Sequence, residues 1–68
     1  MPDVDQAPPY SAALESALLD AKQALARAAN VAICTGRSAD AMRLRVAHEA
    51  TERMLVTEQQ ARIAQVRP

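Results

Sequence analysis

Between Pro9 and Pro68 the chain contains a single strong helix breaker, Gly36. Two long stretches free of Gly and Pro flank it. Such a pattern allows two long rods joined by one sharp reversal, because Gly readily takes the left-handed conformation that closes a helix. The composition favours the same build. Of the 68 residues, half are apolar, and 16 of these are Ala. Ala is the best helix former, while Phe and Trp are missing altogether. The expected fold is all-α: an antiparallel two-helix hairpin that dimerises into a four-helix bundle. A β sandwich, a disulfide scaffold, a multi-Cys zinc module and a membrane-spanning helix are excluded on composition.

The segments divide as follows. Residues 1–9, with Pro2, Pro8 and Pro9 and two acids, read as a flexible tail. Helix 1 is expected over about 10–34, with Ser11 able to cap it. A turn over 35–38 holds Gly36, and Ser38 is the expected N-cap of helix 2, which runs over about 39–66. So short a connection makes the helices antiparallel.

Apolar spacing gives the expected packing. Leu14, Leu18, Ala21, Leu25, Ala28 and Ala32 recur at intervals of 4, 3, 4, 3 and 4, a heptad seam. On helix 2 a broader arc holds Leu44, Val46, Ala47, Ala50, Met54, Leu55, Ala61 and Ala64, with Arg43, Thr51, Thr57 and Glu58 intruding. Ala47, Ala50, Met54 and Ala61 are assigned with the six helix 1 residues to the core and dimer seam. A smaller patch on another side, Met42, Val56 and Ile63, has no use in a helix with one neighbour. With Tyr10, Arg45 and Arg53 it forms the candidate partner-binding set.

One contact lined largely with Ala buries too little apolar surface to offset the entropy of ordering two helices. Chains of this size usually need disulfides, a metal or association. Cys34 is the only cysteine, which excludes an intrachain disulfide. His48-Glu49 opens like a zincin motif, but the second His that H-E-x-x-H requires is replaced by Glu52. Neither a metal nor a cofactor is expected. Association remains, either as a homodimer or as an obligate heterodimer.

Catalysis is not expected either. Ser11, Ser16, Ser38, Thr51 and Cys34 lack a base partner at a diagnostic spacing. Cys34 is read as a packing residue, and Tyr10 as a staple onto Leu14. The formal charge is zero, with −2 in residues 1–34 and +2 in residues 35–68, so the halves attract weakly. A neutral chain is a poor general binder of phosphate backbones. Arg outnumbers Lys seven to one, which points to a GC-rich bacterial or phage source. An acidic start without an apolar run argues against a signal peptide and for the cytoplasm, with no membrane association. The expected function is non-enzymatic: a regulator or inhibitor that binds and occludes a host protein. The alternatives are an Arg-mediated nucleic-acid-binding hairpin, a secretion-type co-chaperone or a structural oligomerisation segment.

Overall fold

The computed structural model describes residues 9–66; residues 1–8 and 67–68, and with them nearly all of the expected tail, lie outside the described residues. The chain is all-helical, with two helices, α1 (Ala12–Cys34) and α2 (Ser38–Val66), packed against each other as an antiparallel hairpin.

Each boundary has a local cause. Ser11 is extended (φ −127°, ψ 113°), and its Oγ accepts the Leu14 amide at 3.1 Å. This satisfies one of the donors a helix start leaves unpaired. At the other end of α1, Gly36 takes φ 77°. That turn lets the Gly36 amide donate to the Ile33 carbonyl (3.1 Å) and the Arg37 amide to the Ala32 carbonyl (2.7 Å). The pair of bonds is a Schellman closure. The Arg37 carbonyl already accepts from the Ala41 amide (2.9 Å), so α2 starts at once. Ser38, the expected N-cap, is therefore the first helical residue, and Arg37 occupies the cap. Arg37 and Arg43 both pair with Asp40, at 2.7 and 3.1 Å, in the first turn of α2. An acid there also complements the helix dipole.

The molecule measures 51 × 23 × 14 Å, and its radius of gyration is 15.6 Å. A compact domain of this length would have about 11 Å. The hairpin is one helix thick. Its most buried apolar residues are Leu18, Ala29 and Ala32 of α1 and Ala41 and Leu55 of α2, and no large side chain among the described residues is wholly enclosed.

The contact between the helices is rotated from the expected one. On α1 it follows Glu15, Leu18, Lys22, Leu25, Ala29 and Ala32, which are buried or half-buried. On α2 it follows Ala41, Leu44, His48, Thr51, Leu55 and Glu58. Both sets step by 3 and 4, as helices in an inclined contact require. Of the expected α2 arc, Leu44, Ala47, Leu55 and Ala61 lie at this contact or on its edge, whereas Val46 and Met54 are 64% and 55% exposed. Ala41, absent from the expected set, is among the most buried residues of all.

Candidate functional site

Polar side chains enter the contact and fix its register. Glu15 is buried at 7% exposure. Its carboxylate accepts the Tyr10 hydroxyl at 2.6 Å and faces the Arg62 guanidinium at 3.4 Å. One level away, the Glu58 carboxylate accepts the Ser11 backbone amide at 2.6 Å, a cap delivered to α1 from α2. Lys22 pairs with Glu52 at 3.3 Å across the hairpin, and His48 Nδ1 lies 3.8 Å from the same carboxylate. Thr51 returns its hydroxyl to the Ala47 carbonyl at 2.9 Å, which lets it sit in the contact with its donor satisfied. Tyr10 is thus tied to Glu15 through its hydroxyl, and Leu14, the expected staple partner, is 43% exposed. The hydrogen bond to the Glu15 carboxylate, with partial burial and the nearby negative charge, pushes the Tyr10 phenol above its ordinary value.

These contacts occupy the inner side of each helix. Two broad faces remain. The first is built from Leu14, Ala17, Ala21, Ala24, Ala28 and Val31 of α1, a second heptad row beside the inner one. The matching row on α2 is Ala47, Ala50, Met54, Thr57, Ala61 and Ala64. Near the turn, Ala28 and Val31 of α1 and Arg43 and Leu44 of α2 line one open groove, which puts Arg43, four residues before Ala47, on the side of the α1 row.

The opposite face carries a groove of about 690 Å³ in which Leu19, Lys22, Glu52, Arg53, Leu55 and Val56 meet. Of the candidate partner-binding residues, Arg53 and Val56 come together here. Met42, Val56 and Ile63 are 63%, 49% and 58% exposed. They follow one another along α2 at steps of 14 and 7 residues, so Met42 lies about 20 Å from Val56 at 1.5 Å per residue. They form a line along the helix, not a compact patch. Arg45 and Arg53 are exposed and make no ion pair among the described residues. Tyr10 sits at the open end, engaged by Glu15.

Of the ten seam residues, Leu18 and Ala32 are buried, while Ala21, Leu25, Ala28, Ala47, Ala50 and Ala61 are half-buried. Leu14 and Met54 are exposed on the first broad face. Cys34, read as packing, is exposed at the end of α1. No group of His, Cys, Asp and Glu suited to a metal ion occurs among the described residues, and no described helix is long and apolar enough to cross a membrane. The chain matches no protein-family model, no curated protein and no solved structure.

Sequence reasoning missed the polar tie of Glu15, Arg62, Ser11 and Glu58. The available signal was the intrusion of Glu58 into an apolar arc. It pointed to a charge that needs a donor close by, here the amide of Ser11, the N-cap of α1.

Proposed function

We propose that the chain is a small non-enzymatic protein-interaction module. It works as a homodimer in which two hairpins form a four-helix bundle, and it regulates or inhibits a host protein by covering part of its surface. One observation carries the reading: a hairpin one helix thick exposes nine large apolar side chains among the described residues, spread over both broad faces. Domains normally bury such side chains between at least two layers. A second hairpin supplies the missing layer on one side and leaves the other side for a different protein.

That other side offers Leu19 and Val56 with charged residues around them. An apolar centre with a polar rim is the usual anatomy of a protein-binding patch. The reading places the module in the cytoplasm of a bacterial or phage-infected cell.

The test is affinity capture from that cell with the native chain and with a Val56→Asp, Ile63→Asp variant. Both positions are exposed, so the variant keeps the helical circular dichroism of the native chain. A protein held by the native chain and lost from the variant is expected. Identical capture by both chains refutes the patch.

A further inference from the structure

The homodimer reading above leaves open which face pairs and how the copies are turned. We infer that the second copy covers the face of Leu14, Ala21, Ala28, Ala47, Met54 and Ala61, across a twofold axis that crosses the hairpin at mid-length. The turns of the two copies then lie at opposite ends of the bundle. The inference rests on that reading and adds its geometry.

Charge placement selects this arrangement. On α1, Asp20 and Arg27 are exposed along the outer edge and make no ion pair among the described residues. They stand symmetrically about the midpoint between Gln23 and Ala24. On α2, Arg43 is already bound to Asp40 at 3.1 Å and Glu58 to the Ser11 amide at 2.6 Å, so the midpoint is taken from Ala47 and Met54, which stand symmetrically about the point between Ala50 and Thr51. The Lys22–Glu52 bridge, 3.3 Å long, joins residues equally displaced from these two midpoints, so the midpoints share one level of the hairpin. A single twofold axis at that level therefore serves both helices. It sets Asp20 against Arg27 of the second copy, twice. The acids nearer this face are already held, Asp40 by Arg37 and Arg43 and Glu58 by the Ser11 amide.

The alternatives fail on the same test. Turning the second copy about the hairpin's long axis sets Asp20 level with Met54 and Arg27 level with Ala47, charge against apolar surface. Using the opposite face with the same axis sets Glu49 against Glu52, like against like. Packing agrees as well. The chosen axis puts Met54 over Ala47 and brings the Ala-rich middles of the two α1 helices together, large on small and small on small.

The sole cysteine supplies the probe. Cys34 is exposed at the end of α1, so the full chain can carry a spin label there without substitution. The inferred axis sets Cys34 opposite position 13 of the second copy, 21 residues along the helix, hence a label distance of about 30 Å or more at 1.5 Å per residue. A reversal Asp20→Arg should weaken the dimer about threefold or more, and adding Arg27→Asp should restore it, because the pairs reform with exchanged signs. A distance below about 25 Å, with the turns at one end of the bundle, overturns the inference and leaves the dimer standing. So does a double variant as weak as the single one. A chain that stays monomeric at every concentration overturns the dimer reading itself.

Discussion

The inner contact between the helices is more polar than the broad face beside it. Glu15, Lys22, His48, Thr51 and Glu58 enter the inner contact, and the second heptad rows hold Ala, Leu, Met, Val and Thr. In a hairpin stable by itself the order would be the reverse, with the best apolar stripe of each helix turned to its only neighbour. Here the polar contacts set register and direction, while much of the apolar surface stays on the outside. Specificity and cohesion are divided between two surfaces. A charged residue at a helix contact typically fixes alignment at some cost in stability, and the neighbouring face is where that stability has to be found.

Substitutions can break this division, and the largest effect is expected inside the contact. Leu18→Asp places an unpaired charge at an 8% exposed site and should cost several kcal/mol, enough to abolish helical circular dichroism at any concentration. Met54→Asp lies on the broad face, at 55% exposure. It should unfold the chain only on dilution, with helicity recovered as concentration rises. Equal behaviour of the two variants would erase the distinction between the surfaces.

Smaller effects sharpen the local account. Ser11→Ala removes the side-chain cap of α1 and should lower stability by about 1 kcal/mol in chemical denaturation. Gly36→Ala meets no neighbouring atom, so its cost comes from φ 77° alone, again about 1 kcal/mol. Tyr10 gives a pH readout, because it is the only aromatic residue. Its hydrogen bond to Glu15 raises the folded-state value above that of a free phenol, about 10. The bond's contribution is therefore complete below the unfolded value and is lost as pH rises through the folded one. Absorbance titration should place the midpoint above that of a free tyrosine, and Glu15→Gln should bring it back.

Much of the hairpin could be read from the residues. Gly36 marks the reversal, Ser11 caps α1, and the two Gly- and Pro-free stretches become the two helices. The orientation of each helix about its own axis was not legible. On α1 the rows through Leu14 and through Leu18 sit side by side, and Ala fills so much of both that they merge into one wide stripe. Alanine distinguishes facing from flanking positions poorly, since it has little to bury in either place. The cross-hairpin ties depend on register as well. Lys22 finds Glu52 and Ser11 finds Glu58 only once the Schellman closure has made the turn one residue shorter than expected. The candidate patch failed to form a compact cluster because steps of 7 and 14 residues share a side of the helix without sharing a neighbourhood.

We propose that this chain has no adequate interior of its own and completes one by pairing with a second copy. Thermal melting across a hundredfold dilution, with the mass measured by sedimentation at each concentration, tests it directly. A dimer mass and a melting temperature that falls as the protein is diluted are expected. A cooperative melt of a monomer, at a temperature independent of concentration, would contradict it.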